Sequence, residues 1–317
     1  MIEVSNADRI VFPEVGRTKG DVAAYYERIG ARALVHVAGR PLSIKRFPKG
    51  LAGPGFFQKN VPAHYPASIA RFAIERSRAA SKKHARAGKP PAEDVTVAAV
   101  LSAPDQLAYL ANHGAIELHV TTARAGATGP DRLVLDLDPP PGATALVQRA
   151  AHLVREALSE LEVETVPVAT GSKGYHVVAA LTEAASGAAV AVTAQRLAAL
   201  LAARHPDELT TAYRIAQRGD RVFIDWLRNR PGATVVAPYS LRARPGATAA
   251  VPLAWSELDT TAPDAFAIGD VERLLDRPDS LAERGRAPTD TDALAARVAE
   301  AFERSELVLE TFDRFRS

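Results

Sequence analysis

Apolar residues recur at helical spacing in Val22, Tyr25, Tyr26, Ile29 and Ala33, so the chain is predicted to begin with an amphipathic helix. Thr18 is its expected N-cap, with Asp21 three residues on, and Gly39-Arg40-Pro41 ends it. A strand over 42–47 stops at Pro48, and residues 48–66, rich in Pro and Gly, read as loop with Phe56 and Phe57 inside it. A short helix is predicted over 104–114, and strands over 116–121 and 132–138. Thr144 is placed as the cap of a strong helix whose apolar stripe is Leu146, Val147, Ala150, Leu153, Val154, Ala157, Leu158 and Leu161. Strands are expected over 163–169 and 175–181, joined by a glycine-bearing turn. A helix over 193–204, strands over 222–227 and 234–238, and helices over 264–276 and 290–306 complete the pattern. Strands and helices mix without regular βαβ alternation, which argues for an α+β fold rather than a doubly wound sheet. The expected organisation is one domain over 1–276, followed by a connector and a helical tail over 277–317 packed on it.

Composition narrows the class. The 317 residues are 47% hydrophobic and 24% charged, ordinary for a globular protein. Cysteine is absent, which excludes a disulfide framework, a thiolate zinc site and a cysteine nucleophile. The first residues carry Glu3, Asp8 and Arg9 and no long apolar run, unlike a signal peptide. No uncharged apolar stretch is long enough for a membrane span, so no membrane association and a cytoplasmic setting are expected. Net charge is only +2, but Arg71, Arg76, Arg78, Lys82, Lys83, Arg86 and Lys89 cluster with Glu75 as the only acid among them. Such a stretch is compatible with a polyanion on one face, but charge alone favours a solvated helix face or a mobile loop.

The sharpest chemical feature is Leu133-Val134-Leu135-Asp136-Leu137-Asp138-Pro139-Pro140. On a strand, Asp136 and Asp138 point the same way, about 6–7 Å apart, while the leucines point into a core. Two such carboxylates repel one another unless a cation lies between them, and oxygen-only ligands suit Mg²⁺ or Mn²⁺. A bare Asp-x-Asp also fits two solvated acids before a proline turn. Asp225, in the apolar run Val222-Phe223-Ile224-Asp225-Trp226-Leu227, needs a partner, a raised pKa or a metal. Arg221 and Arg228 are near enough in sequence to be that partner. Three acids on neighbouring strands match two-metal phosphoryl transfer. In the turn Thr170-Gly171-Ser172-Lys173-Gly174-Tyr175-His176, the glycines free backbone N–H groups, and Thr170, Ser172, Lys173 and His176 add hydroxyls and charge, the composition of a phosphate cradle. It lacks the Gly-Lys-Ser/Thr order of a Walker loop. Arg242 and Arg244 are further triphosphate candidates, and His119 is either structural or a ligand at the same sheet.

These residues, taken with several others, resemble the polymerase domain of bacterial DNA ligase D, in the archaeo-eukaryotic primase superfamily. The resemblance runs from about Asn6 to Asp276. It rests on ordered motifs: Asp8-Arg9-Ile10-Val11-Phe12-Pro13, Thr18-Lys19, Gly39-Arg40-Pro41-Leu42, Phe56-Phe57-Gln58-Lys59, Ile116-Glu117-Leu118-His119, Leu135-Asp136-Leu137-Asp138-Pro139, Gly171-Ser172-Lys173-Gly174-Tyr175-His176, and Val236-Ala237-Pro238-Tyr239-Ser240 through Arg242-Ala243-Arg244-Pro245-Gly246. The resemblance implies a primase-polymerase fold, with mixed and antiparallel central sheets, an RRM-like catalytic core and flanking helices. It implies that Asp136, Asp138 and Asp225 are catalytic and bind two Mn²⁺ or Mg²⁺ ions. It places Lys45, His119, Thr170, Ser172, Lys173, His176, Ser240, Arg242 and Arg244 at the incoming NTP or dNTP. Arg9 and Lys19 fall where a DNA 5′-phosphate is gripped, and Phe56 and Phe57 where rings stack on the template. Three positions depart from the family: Val120-Thr121 replaces the usual Pro-Trp, Arg9 stands where lysine is also common, and Thr170 replaces serine.

The implied function is a DNA-directed primase-polymerase acting at short gaps or double-strand break ends, in non-homologous end-joining or gap repair. Its implied partners are gapped or broken double-stranded DNA with a 5′-phosphate, Ku and a separate DNA ligase, in a cytoplasmic, nucleoid-associated setting. The chain contains no ligase or phosphoesterase segment, so a stand-alone polymerase is expected. Two rivals are a non-catalytic module that bridges DNA ends by their 5′-phosphates, and a metal-dependent nuclease built on the same acids. The Lys173, His176 and Arg242 cluster opposes the nuclease, because diester hydrolysis needs no pyrophosphate clamp.

Overall fold

The computed structural model describes residues 3–75, 95–184 and 186–309. Most of the basic cluster, from Arg76 to Lys89, lies outside the described residues. Arg71 lies inside them and donates to the Tyr65 and Ile69 carbonyls.

Strands β1 (Ile10–Phe12) and β2 (Arg17–Thr18) form a small ribbon that leads into helix α1 (Lys19–Val37). The predicted cap is present: Thr18 Oγ1 accepts from the Asp21 N–H, and the Asp21 carboxylate accepts from the Thr18 N–H. The predicted stripe is the buried face of α1, with Tyr25, Tyr26, Ile29 and Ala33 nearly sealed from solvent.

The first sheet is built from β3 (Pro41–Arg46), β4 (Phe56–Gln58), β5 (Ala70–Glu75), β6 (Val95–Val100), β7 (Ala115–Thr121) and β13 (Thr234–Val236), in the order β13-β7-β3-β6-β5. One edge of β3 is shared: its start pairs with β6 and its end with β4. Helix α2 (Asp105–Asn112) packs between α1 and β7.

The second sheet contains β8 (Arg132–Asp138), β9 (Thr165–Ala169), β10 (Tyr175–Ala180), β11 (Leu209–Thr210), β12 (Val222–Asp225) and β14 (Val251–Pro252), in the order β11-β12-β8-β10-β9-β14. Only β11 and β12 pair in parallel here, and the other ladders are antiparallel. Helices α3 (Thr144–Glu160) and α4 (Gly187–Arg204) cover this sheet. The architecture is therefore α+β with mixed and antiparallel sheets. The chain closes with α5 (Val271–Asp276), α6 (Ser280–Arg284) and α7 (Thr291–Arg304). Helix α7 buries Leu294 and Val298 and packs on α4, while Thr289 bonds to Ala180 beside the sheet. Among the described residues, no helix is long and apolar enough to cross a membrane.

Several local expectations are corrected. Phe56 and Phe57 belong to a strand, because the end of β3 offers an edge that β6 has left open. Strands β5 and β6 were not predicted. Thr144 is the first helical residue of α3, not its cap; Ala143 holds that position with no side-chain bond, and Pro140 and Gly142 set the entering turn. Helix α4 starts at Gly187, six residues early, because Ser186 caps it and its alanine-rich first turn carries no amphipathic signal. The segment 264–267 is not helical: Asp264 lies in a turn closed by the Ala265 N–H on the Ala262 carbonyl, Phe266 is buried with its carbonyl accepting from Ala249, and Ala267 bridges to Thr248. Strand β12 ends at Asp225, where Trp226–Asn229 turns into a 3-10 helix whose cap is the Asp225 carboxylate.

Candidate functional site

Strand register gathers the acids. In β8, Leu133, Leu135 and Leu137 are fully buried, which forces Asp136 and Asp138 to the other face at the strand's end. β12 sets Asp225 directly opposite Asp136 on one side, and β10 sets His176 opposite Asp136 on the other. The row Asp225–Asp136–His176 thus crosses three adjacent strands, with Asp138 two residues further along the same face.

Cations attend every acid. The Arg228 guanidinium spans two of them, 2.9 Å from Asp225 Oδ2 and 3.1 Å from Asp136 Oδ2. Lys173 Nζ lies 3.4 Å from Asp138, and His176 Nε2 lies 3.6 Å from Asp136. Burial nevertheless dominates. It pushes the Asp225 carboxyl up to about 6 against the pull of Arg228, and repulsion from Asp136 and Asp138 adds to the rise. Burial, and then the charge of Asp136, also raise Asp138. His176 is pushed down to about 4 by burial, so it is a neutral hydrogen-bonding group near pH 7. Among the described residues, no three carboxylate or imidazole groups stand close enough together to grip an ion as placed, and Arg228 sits between two of the candidates. The donor chemistry still fits an oxygen-seeking divalent ion. Asp138 and Asp225 are anions at a cost here, and a compact divalent charge lowers that cost more than a bulky guanidinium does.

A cleft of about 200 Å³ opens beside the acids. One wall is the turn Thr170–Gly174, which depends on its two glycines. Gly171 has φ +66°, and a Cβ on Gly174 would lie 2.0 Å from the Leu137 carbonyl oxygen. Thr170 donates its hydroxyl proton to the Gly174 carbonyl at 2.7 Å and braces the turn, while Arg242 donates to the Thr170 carbonyl. Ser172 accepts from Arg244 at 2.8 Å. Lys173, His176, Arg242, Arg244 and His119 all face the cleft. Ser240 and Lys45 are the exceptions among the predicted nucleotide ligands; Lys45 pairs with Glu117 beside the Phe57 ring and does not line the cleft. Ser240 is buried, accepts from the Leu118 N–H and donates to the Leu241 carbonyl, so it ties β7 to the loop after β13 and is not brought to the cleft.

Sequence reasoning passed over Glu117. It is buried at 3% exposure and accepts from His119 Nε2 at 2.9 Å, Lys45 Nζ at 3.3 Å and the Ala243 N–H at 3.0 Å, with Arg242 Nε 3.4 Å away. Burial alone would raise its pKa, but the His119 hydrogen bond and the Arg242 charge hold it at about 2. The signal was present: an acid within a buried strand, between two candidate ligands, needs partners.

Two further groups lie outside the cleft. Phe56 and Phe57 expose about half of their surface, an unusual state for large rings. Lys45 lies over the Phe57 ring, Arg46 over Phe56, and Phe57 stands edge-on to His119 at 5.3 Å. Some way off, Lys19 begins α1 and is buried, with Nζ bonded to Ser5 O at 2.6 Å and Ser5 Oγ at 2.8 Å. Burial and the charge of Arg9 lower its pKa. Arg9 is exposed, and its carbonyl accepts from the Lys19 N–H. The first N–H groups of the helix are taken by the Arg9 and Ala7 carbonyls and the Thr18 hydroxyl, so of the predicted phosphate pair only the exposed Arg9 side chain faces solvent.

The chain is similar to known proteins over most of its length. The family model described as "LigD, primase-polymerase domain" matches residues 18–281. The Multifunctional non-homologous end joining DNA repair protein LigD of Mycobacterium tuberculosis (strain H37Rv) is 33% identical over 293 residues, covering 89% of this chain and 37% of that protein. The Bifunctional non-homologous end joining protein LigD of Bacillus subtilis (strain 168) is 27% identical over 279 residues, 87% of this chain and 42% of that protein. The chain thus spans well under half of these relatives. The solved polymerase domain from Mycobacterium tuberculosis ligase D in complex with DNA is similar with a TM-score of 0.81 and 30% identity, over 91% of this chain and 99% of that one.

Proposed function

The chain belongs to the LigD primase-polymerase domain family, and on that premise we propose that it is a template-directed nucleotidyltransferase. It adds ribo- or deoxynucleotides to a primer 3′-hydroxyl at gaps or broken ends of double-stranded DNA, in non-homologous end-joining or gap repair. Ku and a separate DNA ligase are its partners in this reading. The observation that carries it is a cleft lined by Asp136 and Asp138 together with Lys173, Arg242 and Arg244, with Asp225 paired directly opposite Asp136 on the neighbouring strand.

Each group has a defined task. Asp136, Asp138 and Asp225 would hold the divalent ions, Mg²⁺ or Mn²⁺, which when bound activate the 3′-hydroxyl and neutralise the leaving pyrophosphate. Lys173, Arg242 and Arg244 meet the triphosphate oxygens. Neutral His176 supplies a hydrogen bond without adding charge beside Asp136. Glu117 is a positioning residue, holding His119, Lys45 and Arg242 at fixed angles. Phe56 and Phe57 stack on the template, and Arg9 and Lys19 grip the 5′-phosphate across the gap.

Primer extension on a gapped duplex with a 5′-phosphate tests the reading, with either metal and with ribo- or deoxynucleotides. Wild type should add complementary nucleotides, and less so when the phosphate is removed. Asp136→Ala or Asp138→Ala should lower synthesis roughly 100-fold or more while DNA binding persists. Synthesis that survives these changes sinks the metal assignment. Phosphate-dependent binding with no synthesis by wild type instead identifies an end-bridging module.

A further inference from the structure

A ledge of rings lies between the two ends of the proposed DNA path. Tyr109 and His113 sit at the end of α2, and His64 and Tyr65 in the loop after β4. The His64 and His113 rings stack 5.5 Å apart, Tyr109 and His113 lie 4.2 Å apart, and Tyr65 closes against both Tyr109 and His113. Only Tyr65 is buried; His64 is exposed and Tyr109 and His113 are half-buried. A core does not leave stacked imidazoles at its surface, whereas bases stack readily on such faces.

The ledge is continuous with both predicted DNA contacts. At one end, Arg46 donates to the His113 carbonyl at 2.8 Å and places its guanidinium over Phe56. Gln58, the last residue of the Phe56 strand, accepts from Arg46 and donates to Tyr65. At the other end Asn112, adjacent to His113, accepts from the Ser5 N–H and hydroxyl, and Ser5 in turn holds the Lys19 ammonium. A chain of contacts therefore runs from Lys19 through Ser5 and Asn112, along the backbone to the His113 carbonyl, and on to Arg46 and Phe56.

We propose that this ledge binds the template strand where it leaves the downstream duplex, with the unpaired base nearest the gripped 5′-phosphate stacked on His64 and Tyr109. The inference rests on the polymerase reading for the direction of the strand, and its own test is a binding measurement.

The probe is a duplex with a recessed 5′-phosphate and a short 3′ overhang, carrying 2-aminopurine at the first unpaired position. Wild type should quench the probe's fluorescence. His64→Ala and Tyr109→Leu should abolish most of the quenching and weaken binding roughly tenfold, within the range for losing one base–aromatic stack. A blunt duplex with the same 5′-phosphate should bind all three proteins equally. His64 is exposed, so its variant keeps the fold, and a matching melting temperature checks this. Unchanged quenching and affinity in both variants overturn the proposal, as does an equal loss on the blunt duplex. Nucleotide addition by wild type is read on the same DNA once annealed to a primer. No addition with His64-dependent quenching removes the polymerase reading and keeps the ledge; addition with no dependence on His64 does the reverse.

Discussion

Replacing Glu117 with glutamine keeps the shape of the side chain and removes its charge. Its two carboxylate oxygens serve different donors: Lys45 and the Ala243 N–H on one, His119 and Arg242 on the other. The amide oxygen can keep the first set, but the new NH₂ then faces two nitrogen donors. His119 relieves its share by changing tautomer; Arg242 cannot. A charge-assisted bond is worth about 1.5–3 kcal/mol, and Lys45 is partly exposed, so the net stability loss should be about 2 kcal/mol. That corresponds to a melting point lower by roughly 4–8 °C. Activity carries two opposed effects. Removing a negative charge from beside Arg242 and His119, which line the cleft, favours binding of an anionic nucleotide by on the order of 1–2 kcal/mol at an effective dielectric near 20. Freeing Arg242 and His119 from one orientation costs only when the transition state must be met, about 1.4 kcal/mol for a tenfold loss. The expected result for Glu117→Gln is therefore a kcat lower by about tenfold with KM unchanged or lower, measured by steady-state primer extension alongside thermal melting. A raised KM with unchanged kcat, or a melting point equal to wild type, refutes the claim that Glu117 holds these groups in place.

Two other substitutions test the site's electrostatics and its turn. Asp225 binds its proton more tightly in the folded state, at about 6, than in the unfolded chain, near 3.8; this penalty is absent below about pH 4, grows as pH rises to 6 and is full above that. The rise corresponds to roughly 3 kcal/mol at most, and solvent around the partly exposed Arg228 reduces it to about 1–2. Metal-free Asp225→Asn should consequently melt higher than wild type at pH 7.5 but not at pH 4, and added Mn²⁺ should close the gap by stabilising wild type alone; equal melting across this range contradicts the assigned strain. Gly174→Ala would drive a methyl group into the Leu137 carbonyl, at a cost on the order of 3 kcal/mol. It should depress the melting point and nucleotide binding together, and a wild-type melting curve for this variant would show that the turn does not pack on β8 as described.

Much of this was legible along the chain, for a local reason. A capping pair, a 3.6-residue stripe and a two-residue alternation are properties of neighbouring residues, so α1, β8 and the shared face of Asp136 and Asp138 could be read from spacing. The ordered motifs named the family and most of the cleft residues. What stayed hidden depends on partners far apart in sequence. Phe56–Gln58 is a strand only because β6 leaves the end of β3 free, and residues 266–267 escape the helix because they pair with Ala249 and Thr248. Arg228, Asp136 and Asp225 share charge because register sets β12 beside β8. Ser240 lies in a family motif yet points inward, since burial and two backbone bonds claim its hydroxyl. Glu117 became a hub only once β3, β7 and the Arg242 segment converged on one carboxylate. The sequence by itself determined the periodic elements and the chemical types available. The tertiary structure decided which of those groups meet, because pairing, burial and electrostatic coupling act between atoms brought within a few ångströms by the fold.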